Sequence, residues 1–380
     1  MIQGVNQYLR NKSENLSFIQ LKKGSDVNVN GYKISNELPL PMVIDELVNE
    51  IKEGKAQQEI QMKSIIEGMI YILGVDPDFK HTDEYIEILY SYDENIEEII
   101  LAMGLKLVED NKLEEGLVYF SAVVNMNSGN ISGLYNFALA LEEKARQYFK
   151  NKEMKKGNKF LHESTKYFEE IVDIDPSFAI GYYKLGYHYK HQNQFRKSKI
   201  MWEKFLEYEE SKDALLEVKQ QLSEIKDQVT YEEGYSEVLR GNPLGGLEKL
   251  LPLEKIYPDW WNLNFMIGLA YRQTEQYGEA KTRFEKVLVL QPEQVDTLNE
   301  LGLCLAMENN QEKAIEKFDE ALNIKPRDYE ILCNRGMTYL QQGNIEKAKS
   351  DIEKAYSINS EDEITISCKK HLDQIIKSRN

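Results

Sequence analysis

Cysteine, histidine and long apolar runs are scarce in this chain, and each shortage excludes something. Only three cysteines occur in 380 residues, Cys304, Cys333 and Cys368, with no C-x-x-C spacing. An odd, scattered set does not build a disulfide framework and fits a reducing compartment, so a cytoplasmic location is expected. The five histidines are His81, His162, His188, His191 and His371. Only His188 and His191 share a helical turn, and no third ligand stands near them, so no metal site is expected. Cys368 and His371 are three apart, which on a helix would bring a thiol to an imidazole, but chance spacing accounts for the pair as well. The longest apolar stretch, Met69 to Val75, is interrupted by Gly74 and is far too short to span a bilayer. The first residues, MIQGVNQYLRNKSENLSF, have neither the apolar core nor the cleavage site of a signal peptide. Neither a phosphate-cradling glycine loop nor a G-x-S-x-G elbow is present, and Gly245-Gly246 follows Pro243 in a turn between helices. No catalytic residues and no cofactor are therefore expected, and the chain does not read as an enzyme.

Acid is abundant instead. Aspartate and glutamate number 64 against 47 lysines and arginines, a net charge of −17. A field of that sign repels nucleic-acid phosphates and anionic lipid and favours basic or neutral partners. Solubility alone is the plainer reading of the same excess. The hydrophobic fraction of 42% is enough for a continuous core.

The informative feature is a period. Gly234, Gly268, Gly302 and Gly336 stand 34 residues apart, and the same pattern surrounds each. From Leu298 to Pro326 it places Leu301-Gly302, Ala314, Phe318, Ala321 and Pro326. The preceding copy has Gly268, Tyr271, Ala280, Phe284, Val287 and Pro292, and the following one Gly336, Tyr339, Ala348, Ile352 and Ala355. Small residues at fixed offsets let two helix backbones approach, and the aromatic or aliphatic residue four places after the alanine fills the gap between them. The proline ends the second helix. This pattern resembles the tetratricopeptide repeat, a helix–turn–helix unit, and is specific.

Upstream, Gly186 and Ala138 are equivalent small residues, but the intervals 138–186 and 186–234 are 48 residues long. The extra residues fall around Ala145–Asn158, between the two helices of one unit, and at Asp213–Lys226, read as a helix lengthened by about four turns. Gly104 begins the series, with Gly116 in place of alanine and Ser128 in place of proline. The resemblance implies an all-α, right-handed superhelical solenoid of seven units, at 97–130, 131–178, 179–212, 227–260, 261–294, 295–328 and 329–362. Extra helical residues lie within 131–178 and at 213–226, and a C-terminal capping helix covers 363–380.

Residues 1–96 resist the pattern. Phe18–Leu21 followed by Asp26–Ser35 suggests a β-hairpin with Asn30-Gly31 as a type I′ turn. Pro39 and Pro41 then precede two amphipathic helices, near Met42–Lys52 and Gln58–Leu73. A worn eighth repeat and a distinct capping domain both remain open.

In proteins with this repeat the fifth and ninth residues of a unit face a concave groove. That register implies a partner-binding surface of Tyr135, Asn136, Tyr183, Lys184, Tyr187, Tyr231, Tyr235, Phe265 and Arg272. Tyrosine offers contact area and a polar tip at low entropy cost. The alternative is that the rings pack on the adjoining helix and expose only their edges. Leu101, Leu105, Asn299 and Leu303 occupy places where a carboxylate clamp for chaperone tails needs lysine and asparagine, which argues against such a clamp. The function implied is a non-catalytic protein–protein interaction scaffold or adaptor that takes a protein or peptide, basic or aromatic in character, without direct nucleic-acid contact or membrane insertion. The alternative is a peptide-sensing regulator whose solenoid changes shape on binding, although no helix-turn-helix DNA reader is evident in 1–96.

Overall fold

The computed structural model describes residues 4–22, 27–44, 48 and 62–379. The chain forms two compact units, Met1–Lys219 and Gln220–Asn380.

The first unit opens with a short helix α1 (Val5–Arg10), a 3-10 turn (Asn11–Asn15) and strand β1 (Leu16–Ile19). Strands β2 (Asn28–Val29) and β3 (Tyr32–Lys33) form a minimal hairpin. Its turn residues Asn30 and Gly31 both have positive φ, 47° and 103°, as a type I′ turn requires. The strand beginning at Leu16 does not join that hairpin, contrary to the expectation. It pairs antiparallel with β4 (Leu40–Val43), setting Leu16 opposite Val43 and Ile19 opposite Leu40. Pro41 therefore lies inside a strand rather than marking a boundary, which a two-stranded ladder tolerates because each strand keeps a free edge. Met42 and Val43 are strand as well, not the start of a helix; positions 45–47 and 49–61 of the two expected helices lie outside the described residues.

Helix α2 (Met62–Val75) is buried on every side from Ser64 onward, so it is the centre of this region rather than an amphipathic surface helix. Gly68 is what lets β4 lie against it: a Cβ there would stand 2.0 Å from the Pro41 carbonyl oxygen. Helix α3 (Thr82–Tyr92) leads to three helix pairs: α4 (Ile96–Glu109) with α5 (Leu113–Met126), α6 (Ile131–Lys150) with α7 (Met154–Ile174), and α8 (Ala179–His191) with α9 (Phe195–Tyr208). The extra residues near Ala145–Asn158 are helical apart from the turn at 151–153. They lengthen both helices of the second pair, to 20 and 21 residues against 13 and 14 in the next pair.

The second insertion differs from expectation. Instead of lengthening a neighbour, it is a separate helix, α10 (Lys212–Glu224). The break has a local cause. Glu209 takes extended backbone, and its carboxylate accepts from the backbone N–H groups of Glu210 and Ser211 at 3.0 and 2.8 Å, so the chain stops and restarts.

The second unit holds four further pairs: α11 (Lys226–Leu239) with α12 (Pro243–Ile256), α13 (Trp261–Gln273) with α14 (Tyr277–Leu290), α15 (Val295–Met307) with α16 (Gln311–Ile324), and α17 (Tyr329–Gln341) with α18 (Ile345–Ile358). Helix α19 (Glu363–Arg379) packs on the last pair. Asn242, Gln294, Asn310, Asp328 and Asn344 cap helix starts by accepting a backbone N–H three residues on. The repeat alanines and their partners form the core: Ala280, Phe284, Ala314, Phe318, Ala348 and Ile352 are fully buried. In the third pair a Cβ on Gly302 would stand 2.6 Å from the Phe318 ring, so glycine is required by the ring that fills the gap.

Between first and second helices the chain turns through one residue of positive φ. That place is held by Asn111, Lys152, Asn193, Gly241, Glu275, Asn309 and Gly343. Asparagine and glycine suit it; Lys152 and Glu275 do not. Among the described residues no helix is long and apolar enough to cross a membrane.

Candidate functional site

The first helices of successive pairs carry the residues singled out above, and each unit presents its own set. In the first unit, Tyr135 on α6 lies edge-on to Phe168 and Phe178, with ring centroids 6.2 and 5.5 Å away. Tyr183 and Tyr187, one turn apart on α8, meet edge-on at 5.0 Å. Behind them, Tyr183 rests on Phe205 and Tyr187 on Trp202, both from α9. The rings are thus half-buried against the second helix of their pair. Their phenols converge on one carboxylate: Tyr183 and Tyr187 both donate to Glu217 Oε1, at 2.8 and 2.6 Å. Burial, and then the hydrogen bond to Glu217, push the Tyr187 phenol well above its ordinary range. The two donated protons lower the Glu217 carboxyl. Glu217 lies in the inserted helix α10, outside the repeat register, so no periodicity pointed to it.

Asn136 does not reach toward Tyr135; its Nδ2 donates to its own helix at Ser132 O, 2.8 Å. Lys184 places Nζ 2.9 Å from Glu142 Oε2. Glu142 is the hub of the polar cluster here. Arg146 Nη2 is 3.6 Å from its other oxygen, and the buried His188 holds Nε2 3.7 Å from Oε2. His188 Nδ1 shares a 3.0 Å hydrogen bond with Thr165 Oγ1. Burial by itself would raise the Glu142 carboxyl, but contacts from His188 and Lys184 overcome it and hold it down to about 2. Glu142, Arg146 and His188 carry no repeat signature: one helical turn aligns Arg146 with Glu142 on α6, and His188 reaches Glu142 from α8.

Two clefts open beside this cluster. One, of about 490 Å³, is lined by Leu105, Phe120, Asn136, Leu139, Arg146 and Lys184. The other, of about 550 Å³, is lined by Phe149, Leu161, Tyr187, His188, Lys190 and His191. Glu142 and Arg146 border both.

In the second unit, Tyr231 packs at a tilt of 35° against Trp260 with ring centroids 4.5 Å apart and lies 6.3 Å from Tyr235. Burial pushes the Tyr231 phenol up to about 12. Tyr235 is exposed, and Phe265 packs on Phe284 at 5.8 Å. Arg272 does not face open solvent with a free guanidinium: it pairs with Glu300, whose carboxyl is raised by burial against the opposing pull of Arg272.

The remaining chemistry-bearing residues are dispersed. Cys368 is buried in one core with Cys333, while His371 is exposed, so that spacing builds no thiol–imidazole pair. His191 is exposed and lies 5.3 Å from the Phe149 ring, whereas His188 is turned inward. Among the described residues no group of three histidine, cysteine or acidic side chains is placed to hold a metal ion.

Models of the tetratricopeptide repeat family match residues 265–329 and 329–362. No curated protein matches the chain in sequence. Among solved structures, it is similar to YrrB, described as a TPR protein with an unusual peptide-binding site, at 19% identity over 66% of this chain and 97% of that one, with a TM-score of 0.28. It is similar to MamA of MSR-1 at 22% identity over 48% of this chain and 97% of that one, TM-score 0.36. A third is found in the APC/C hetero-tetramer Cut9–Hcn1, at 12% identity over 86% of this chain and 65% of that one, TM-score 0.42. The two family models thus identify tetratricopeptide repeats over residues 265–362, where the glycine-spaced helix pairs lie.

Proposed function

We propose that this protein is a non-catalytic scaffold that holds a peptide segment of a partner protein along its first helices. The observation that carries the reading is the pair of clefts on the first unit, apolar at Leu105, Leu139 and Phe149 and edged by Asn136, Arg146 and Lys184. An extended peptide needs such a surface: apolar seats for alternate side chains and a few polar groups to fix its register. The tyrosines of the expected groove contribute edges and phenols rather than whole faces. Aromatic partner side chains fit those edges, and the net charge of −17 favours basic stretches over most of the surface. The division into seven units between 97 and 362, flanked by 1–96 and 363–380, belongs to this proposal and draws support from the helix ends. A cytoplasmic location belongs to it too, supported by three buried cysteines that form no disulfide.

One contact favours a second reading, a peptide-sensing regulator. Glu217 already occupies the phenols of Tyr183 and Tyr187. A peptide reaching those tyrosines must displace it, and α10 would move with it.

The test is affinity capture from the native lysate with the intact protein and with the exposed substitution Leu105→Glu, followed by calorimetric titration of the captured partner. Leu105→Glu should leave the circular dichroism spectrum unchanged and weaken the partner strongly. Equal affinity in the folded variant would place the partner elsewhere.

A further inference from the structure

The charge of this chain is unevenly distributed. Between positions 144 and 159 there are seven lysines and arginines and a single carboxylate, Glu153, in a protein whose net charge is −17. Those positions are the ends of α6 and α7 and the turn joining them. Both helices outrun those of the next pair by about seven residues, roughly 10 Å at the helical rise. The basic residues therefore sit at the tip of the longest helical hairpin among the described residues. Lys150, Lys152 and Lys155 are exposed there and form no ion pair among the described residues. The tip is firmly built: Phe149 lies over Gly157, where a Cβ would stand 2.4 Å from the ring.

The tip adjoins the cleft lined by Phe149, Leu161 and His191. Lys150 follows Arg146 by one helical turn, so both lie on the cleft side of α6. Lys155 stands one turn before Asn158, which with Leu161 and His191 lines a further hollow on the same side. From this arrangement we infer that the hairpin tip and its cleft dock an acidic peptide segment with an apolar anchor, the anchor entering between Phe149 and Leu161 and its carboxylates meeting Lys150, Lys152 and Lys155, while Arg146 stays paired with Glu142 and Glu143. This rests on the scaffold reading and names the partner's chemistry. Net charge favours basic partners over most of the chain, but the field at a docking site is set within about a Debye length, roughly 8–10 Å at physiological salt. Long polyanions fit less well, because a nucleic acid or an anionic bilayer that reached the tip would also meet the acidic remainder.

Lys152 adds a separate handle. It holds the left-handed turn position, φ 62°, where Asn111, Asn193 and Asn309 stand in other turns. Lys152→Asn removes charge while suiting the backbone better, so it separates binding from folding.

The experiment is fluorescence anisotropy with the full chain and three labelled probes: a short glutamate-rich peptide containing one phenylalanine, its lysine-rich counterpart, and a single-stranded oligonucleotide. Vesicles containing phosphatidylserine serve as a fourth arm, read by co-sedimentation. The acidic peptide should bind best, and its affinity should fall as salt rises. Lys150→Glu/Lys152→Glu/Lys155→Glu should weaken it by about tenfold or more with an unchanged circular dichroism spectrum. Lys152→Asn should weaken it while raising the Tm. Equal binding of acidic and basic peptides, insensitivity to the charge reversal, or stronger binding of the oligonucleotide or vesicles would overturn the inference. If the tip variants leave the captured partner bound but Leu105→Glu releases it, the scaffold reading stands and the acidic preference falls. If neither set matters, both fall.

Discussion

Three residues show how much of this protein is set by a few atoms. A methyl group at Gly302 would stand 2.6 Å from the Phe318 ring, which is fully buried, so the ring or a helix must shift. Gly302→Leu should cost about 1–3 kcal/mol or more, read as a lower midpoint in urea; an unchanged midpoint would mean the helices are not in this contact. Glu275 sits at φ 59°, and Glu275→Gly should stabilise by about 0.5–1 kcal/mol, read as a higher urea midpoint, because the left-handed strain removed exceeds the extra backbone freedom glycine loses on folding. Glu142 links stability to acid. Its native carboxyl is held at about 2 against an ordinary 4.5, so its contribution is present above about 4.5 and is lost as pH falls toward 2. Glu142→Gln should flatten that part of the Tm-against-pH curve. A variant curve parallel to wild type throughout that window would remove Glu142 from the linkage.

Helices and strands differ in how plainly the sequence announced them. The helix pairs were readable because each contact that positions them is local: Gly302 and Phe318 are sixteen residues apart, and Asn310 caps its own helix. The strand pairing was not, because β1 and β4 are joined across more than twenty residues, and a proline in β4 argues for a boundary until its partner is known. The insertions were visible as departures from the period, but their form was not. One lengthened two helices in step; the other was cut off at Glu209 by a side chain accepting from the next two residues. The site was legible to a similar depth. Register pointed to Tyr183, Lys184 and Tyr187 as candidates, but not to Glu217, which reaches the two tyrosines from outside the repeat, nor to Glu142, whose partners are gathered from two helices. Removing that carboxylate tests whether it holds the tyrosines closed. Glu217→Gln keeps the shape of the side chain and weakens its acceptance, so the Tyr183 and Tyr187 phenols should titrate at lower pH, followed by ultraviolet absorbance. Phenol titration identical to wild type would show that Glu217 does not govern them.

A stack of helix pairs is stabilised by each pair covering the apolar face of the one before it, so its ends need a cover that is not itself another pair. In the second unit α19 packs against both helices of the pair before it. Leu372 is fully buried and Cys368 nearly so, both in one core with Cys333 and Ile352. Thr365, also buried, accepts from the Cys333 thiol at 3.9 Å. Glu363, Lys370 and His371 of α19 are exposed meanwhile, and Lys369 is joined to Asp373 at 3.0 Å. Removing the anchor should therefore loosen the end of the stack before its interior. Leu372→Ala should cost about 2–5 kcal/mol where the cavity cannot collapse. The loss should appear first as faster amide exchange in α17 and α18, with α13 and α14 responding less, because coupling passes between neighbours. Hydrogen exchange read by mass spectrometry checks the order. Uniform acceleration across 261–358 would mean that this part of the second unit opens all at once, and α19 would then be one more member of a single core rather than its cover.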